Sequence, residues 1–209
     1  MNSPAELDPR DRLLQAHAPA LMVPRHGALA LPDKPGHRFL VASDGIWLEV
    51  LRPWLFARVS LGITKIPLPF GDVGQRIEYS FPDSAVRAIE RRFLQDAERA
   101  FPHECAAWGV YDEHTGALEY RPMIADEASR SSIRFHRPKL ADHEHLAIDL
   151  HSHGELEAGF SGTDDEDDAG EVKIAVVVGN VNGALTWESR LCLLGTYVYP
   201  DAEPDRPEQ

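Results

Sequence analysis

Two short runs, LAIDLH at 146–151 and KIAVVVGN at 173–180, carry apolar side chains at consecutive positions instead of alternate ones. A strand with one wet face alternates, whereas a strand covered on both faces need not. These runs therefore call for a sheet with material packed on either side, and in a chain of 209 residues that means mixed helical and strand layers. The surrounding sequence supplies both kinds of element. Pro82-Asp83-Ser84 reads as a helix start with Asp83 or Ser84 as N-cap, and Val86, Ile89, Phe93 and Ala97 follow at three- and four-residue spacing, predicting an amphipathic helix to about Arg99. ECAAWGVYD and ALEYRPMI flank a turn at His114-Thr115-Gly116, and a further hairpin centres on Asn182-Gly183. The predicted class is α/β or α+β.

Towards the N-terminus the texture differs. Residues 1–37 are rich in Pro and Ala and include the turn-laden LPDKPGH, which predicts an irregular arm. From Arg38, RFLVAS and IWLEVLRPW lie on either side of Asp44-Gly45, a strong two-residue hairpin signal, and prolines at 53, 67, 69 and 82 keep the strands short or at edges. Residues 38–81 read as a small β-rich unit without a catalytic constellation, 82–199 as the mixed domain, and 200–209 as an acidic, frayed tail.

Composition narrows the function classes. A net charge of -13 argues against nucleic acid or an anionic membrane as partner, since both need a basic face. No apolar run approaches the roughly 18 residues that span a bilayer, and the N-terminus lacks a basic start followed by an apolar core, so the expectation is a cytoplasmic protein. With only two cysteines, any metal must be held by His and carboxylate.

DLHSHGELEAGFSGTDDEDD at 149–168 offers that chemistry. His151 and His153 are two apart at the carboxyl end of an apolar strand, so both imidazoles point to one side. After a seven-residue loop, Ser161 is a natural N-cap and sets Asp164 in the first turn of a short helix, its carboxylate turned back to the loop. Two imidazoles and one carboxylate leave a tetrahedral zinc one open position, the layout of a catalytic centre; the competing reading is a solvated, histidine-rich loop. His143 and His145 form another pair, roughly 20 Å away at ~3.3 Å per strand residue, too far to share an ion with the first. Asp165, Glu166, Asp167 and Asp168 read as a solvated helix start, and Ala169 and Ala175 stand where a calcium loop needs Gly and Glu. Asp149 either faces the site as the partner of an imidazole or finds another partner in the sheet. Cys105 reads as a buried, inert thiol.

The spacing His151-Ser-His153, seven residues, Ser161-Gly-Thr-Asp164 resembles the JAMM motif of the JAB/MPN metalloprotease family. The family's upstream glutamate lies in a segment like P-x-E-C-C-G, and Pro102-His103-Glu104-Cys105-Ala106 stands in that place, so the resemblance covers roughly 83–198. It implies a mixed sheet flanked by helices, here preceded by the small β-rich unit. It implies zinc on His151, His153 and Asp164, Glu104 as general base, and Ser161 as a donor to the oxyanion or to the attacking water. The implied reaction splits an amide into a carboxylate and an amine. The order of the N-terminal unit and the JAB segment resembles the PRTRC system protein A group of bacterial proteins. Cassettes of that kind imply a ubiquitin-like protein or peptide as substrate and ThiF/E1-like components as partners. Two alternatives stand beside this: a metal-free MPN scaffold, and an amidohydrolase acting on a small molecule or sulfur-carrier tail. The completeness of Glu104, His151, His153, Ser161 and Asp164 favours the enzyme. Two departures from the family pattern carry expectations of their own. Gly154 stands where relatives have Pro, which predicts a more flexible metal loop, and Trp108 after Cys-Ala-Ala predicts a narrowed or aromatic-lined cleft.

Overall fold

The computed structural model describes residues 7–128, 133–135 and 137–200; beyond Pro200 the acidic tail lies outside the described residues. The chain divides into two compact units, 1–80 and 81–209.

The first unit runs α1 (Pro9–His17), β1 (Ala20–Met22), β2 (Gly36–Ala42), β3 (Gly45–Arg52), β4 (Leu55–Ile63) and β5 (Arg76–Tyr79), with the strands in spatial order β1-β2-β3-β4-β5. The expected hairpin forms one position earlier, with Ser43-Asp44 as its two-residue loop and Gly45 opening β3: Gly45 has φ +152°, and a Cβ there would come 2.0 Å from the Gly62 carbonyl oxygen, so only glycine fits. Leu40, Val50, Leu55 and Ala57 are fully enclosed. So is Glu49, whose carboxylate takes hydrogen bonds from Arg38 and Arg58 inside the unit.

Residues 9–22 depart from the expected irregular arm. The Asp8 side chain accepts from Arg10 N, Pro9 opens α1, and β1 pairs in parallel with β2. None of α1 is buried, so it carries no apolar stripe for periodicity to reveal, and a three-residue edge strand is held by its ladder alone.

The second unit contains α2 (Asp83–Ala100), β6 (Ala106–Asp112), β7 (Ala117–Pro122), β8 (Ala125–Ala128), β9 (Ile133–Phe135), β10 (Glu144–Ser152), α3 (Gly162–Asp168), β11 (Val172–Gly179), β12 (Thr186–Leu193) and β13 (Thr196–Val198). Its main sheet has the order β13-β12-β11-β10-β6-β7, while β8 and β9 pair separately. Only β10 and β11 of this sheet run parallel to each other among the described pairs; the rest are antiparallel. The helix α2 buries Ile89, Phe93 and Ala97, the expected stripe, and packs on β6 and β7. It begins at Asp83 with Pro82 as its extended cap residue, one position before the sequence expectation, and Asp83 then lies in the first turn where the helix dipole favours an anion.

The parallel pair fixes where function can sit. A parallel connection must cross over from the carboxyl end of one strand to the start of the next. Here the crossover spans 153–171 and carries α3, so the end of β10 and the start of α3 share one loop.

Candidate metal centre

His151 is in the last turn of the β10 ladder, paired across to Ala106 of β6, and His153 follows just beyond the strand. Period-two alternation puts both imidazoles on one side, with Nε2 atoms 3.1 Å apart. His153 Nδ1 lies 3.3 Å from the Glu157 carbonyl oxygen. A carbonyl only accepts, so Nδ1 carries the proton and Nε2 keeps its lone pair for a metal.

Asp164 arrives from α3 through a reciprocal cap. Ser161 N and Oγ both donate to Asp164 Oδ2, each at 2.6 Å, and Asp164 N donates to Ser161 Oγ at 3.3 Å. One carboxylate oxygen is thus consumed, and the other, Oδ1, stands 3.5 Å from His151 Nε2. One ligand atom from each of His151, His153 and Asp164 falls within a 4.8 Å cluster. Two donors each ~2.0–2.1 Å from a tetrahedral zinc are about 3.3 Å apart, so the donor set fits that ion. The structure brings these three residues together, as the spacing predicts.

Glu104 joins them from a different element. It precedes β6, is only 7% exposed, and lines the same cleft of about 390 Å³ as His151, His153, Phe160, Asp164 and Lys173. Burial raises the pKa of its carboxyl group; nearby His153 opposes the shift and Asp164 adds to it. Burial likewise lowers the His151 pKa, favouring the neutral ring a metal needs. The Ser161 hydroxyl donates to Asp164, so offering its proton to an oxyanion requires that bond to open.

Ser152, between the two histidines, faces the opposite way and is 1% exposed. Cys105 N donates to Ser152 Oγ at 2.9 Å and Ser152 N donates to the Cys105 carbonyl at 2.9 Å, which ties the segment carrying Glu104 to the strand carrying the histidines. Cys105 itself is half-buried and burial raises its pKa, as an inert thiol requires. Sequence reasoning passed over Ser152; the clue was a hydroxyl at the inward position of a buried strand.

The acidic run after Asp164 corrects the expectation of a solvated helix start. Glu166 and Asp167 are exposed, but Asp168 is 3% exposed and accepts from Arg190 Nη2 at 2.7 Å, while Asp165 accepts from Arg190 Nη1 at 2.6 Å. Lys173, also buried, reaches Asp168 at 2.8 Å and Asp149 at 2.6 Å. Asp149 therefore has a lysine partner. Arg190 is further sandwiched between the rings of Phe160 and Tyr197, each 3.9 Å from its guanidinium carbon. Lys173 of β11 and Arg190 of β12 thereby hold α3, the helix that carries Asp164. The physical reason is that Lys173 and Arg190 are both buried in the sheet, where a cation must have anions beside it.

The two departures from the family pattern take definite places in the fold. Gly154 has φ +54°, and a Cβ there would lie 2.8 Å from the Pro102 carbonyl oxygen. Proline cannot adopt that angle, so the glycine permits a tight, buried turn against the Glu104 segment. Trp108 is 4% exposed in β6, and among the described residues it is not one of those lining the cleft.

A mixed sheet with a histidine pair at the carboxyl end of a parallel strand, and a Ser-x-x-Asp cap on the following helix, defines a domain of the JAB/MPN class. The chain belongs to the prokaryotic homologs of the JAB domain, whose family model matches residues 86–191. Residues 8–80 match a domain of unknown function, DUF2016. A comparison with curated proteins gives no match. Among the described residues no helix is long and apolar enough to cross a membrane.

Proposed function

We propose that the second unit is a zinc-dependent hydrolase of amide bonds, a peptidase or isopeptidase acting at the C-terminal tail of a ubiquitin-like protein. The observation that supports this most is the buried carboxyl group of Glu104 in the cleft of the His151, His153 and Asp164 donor set, a fourth group beside three that suffice as ligands. Zinc bound to those three residues supplies a Lewis acid that acidifies water and polarises a carbonyl. Glu104 accepts a proton from the attacking water at its carboxylate, a duty its raised pKa suits. The water oxygen bonds to the scissile carbon, the carbon–nitrogen bond breaks, and Glu104 returns the proton to the leaving amine. Ser161 holds Asp164 in its ligating orientation. The ubiquitin-like substrate and ThiF/E1-like partners rest on the likeness in domain order to the PRTRC group.

Elemental analysis of full-length protein purified without chelator tests the metal, with about one equivalent or more expected. Cleavage of a ubiquitin-like tail joined through Gly-Gly to a fluorogenic amine tests the reaction. Glu104→Gln is expected to keep zinc and lose turnover at least a hundredfold. Less than a tenth of an equivalent of zinc favours the scaffold alternative and overturns the hydrolase. Full activity in the variant removes Glu104 from the mechanism.

A further inference from the structure

We propose a second transition-metal site, at the opposite end of β10 from the first, formed by Asp112, His114 and His143. These residues come from two separate stretches, the β6–β7 hairpin and the turn entering β10, and one ligand atom from each falls within a 4.8 Å cluster.

The backbone fixes the corner. Glu113 N donates to the His143 carbonyl at 3.0 Å, Gly116 N donates to the Asp112 carbonyl at 2.8 Å, and Glu144 pairs across from Asp112. Asp112 Oδ1 is committed to the turn, accepting from His114 N at 2.8 Å and Thr115 N at 3.2 Å. Its other oxygen, Oδ2, is 3.9 Å from His143 Nε2. That gap is too long for a hydrogen bond. It matches two donors on one ion, which at ~2.0–2.2 Å each lie roughly 3.3 to 4.2 Å apart depending on the angle between them.

The imidazoles of His114 and His143 stack face to face, with centroids 4.4 Å apart and planes 6° apart. Rings so placed do not hydrogen-bond to each other, and because their lone pairs lie in near-parallel planes, one imidazole turns about its side-chain torsions for both to reach a shared ion. Neighbouring His145 is occupied, its Nε2 3.0 Å from Glu113 Oε2, which sets it apart from the proposed ligands. Two imidazoles and a carboxylate suit zinc, nickel or copper(II) over magnesium or calcium, which prefer all-oxygen sites.

Zinc titration by calorimetry on the full chain tests this independently of the hydrolase. With His151→Ala and His153→Ala together removing the first site, one zinc equivalent is expected to remain. Adding either His114→Ala or His143→Ala should weaken it at least tenfold, while adding His145→Ala should not. Absence of a saturable equivalent in the double variant overturns the site. So does a weakening below tenfold in either added variant, or an equal loss with His145→Ala. Far-UV circular dichroism matching that of the parent protein ties a loss to the ligands and not to unfolding.

Discussion

Ser152 and Cys105 exchange a pair of 2.9 Å hydrogen bonds, from Ser152 N to the Cys105 carbonyl and from Cys105 N to the Ser152 hydroxyl. Replacing the hydroxyl strands a backbone N–H beside the cleft, which costs about 1–3 kcal/mol. Ser152→Ala is expected to lower the unfolding free energy by that amount in urea titration and to reduce kcat tenfold or more by loosening Glu104, with zinc content unchanged. An unaltered kcat in a destabilised protein would separate the clasp from the chemistry.

Lys173 neutralises Asp149 and Asp168 inside the second unit. Lys173→Met leaves Asp149 without its cation and Asp168 with Arg190 alone, and loss of one partner from such a network costs about 3–5 kcal/mol. Expected outcomes are reduced thermal stability and weaker zinc binding, because α3 then loses one of its anchors. The triple change Lys173→Met, Asp149→Asn, Asp168→Asn should recover part of the stability. Calorimetric unfolding of the two variants checks this.

The same network has a pH signature. Asp168 is pushed up by burial and more strongly down by Lys173 and Arg190, so its folded pKa ends below the ordinary value of 3.8. A depressed carboxylate pKa stabilises the fold fully above the unfolded value and loses that contribution as pH falls through the folded one. The stability gap between the parent protein and Asp168→Asn should therefore be constant above about pH 5 and narrow as the pH falls below 4. Urea midpoints measured between pH 7 and pH 3 test it; a gap that stays constant through that range contradicts the assignment.

At position 154, both the left-handed backbone and the 2.8 Å approach to Pro102 exclude a side chain. Gly154→Ala is expected to cost more than about 1 kcal/mol and Gly154→Pro more still, both with lowered zinc affinity. Increased stability for the proline variant, as the family pattern alone suggests, would refute the local geometry.

Much of the site was legible because its signals are local. His151 and His153 announce themselves by spacing on an apolar strand, and Ser161 with Asp164 by a capping pattern. Ile89, Phe93 and Ala97 likewise reveal the buried face of α2. Glu104 had no such signal; only the family resemblance singled it out, because its meaning depends on the pairing of β6 with β10. The partnership of Asp168 with Lys173 and Arg190 was illegible for a similar reason. A run of acids looks solvated until the sheet places cations beneath two of its members. In the first unit α1 escaped notice because it buries nothing.

The grip of Arg190 and Lys173 on α3 bears on how the proposed zinc centre would be loaded. In a zinc finger the ligands are scattered until the metal gathers them, and binding and folding are one event. Here the helix bearing Asp164 is anchored by contacts that involve none of His151, His153 and Asp164, so the proposed centre would be preorganised. Chelation should strip the ion from a protein that stays folded, and reloading should proceed without a refolding step. On that reading the domain is a vessel shaped before it is filled, whose metal occupancy would change on its own while the architecture stands.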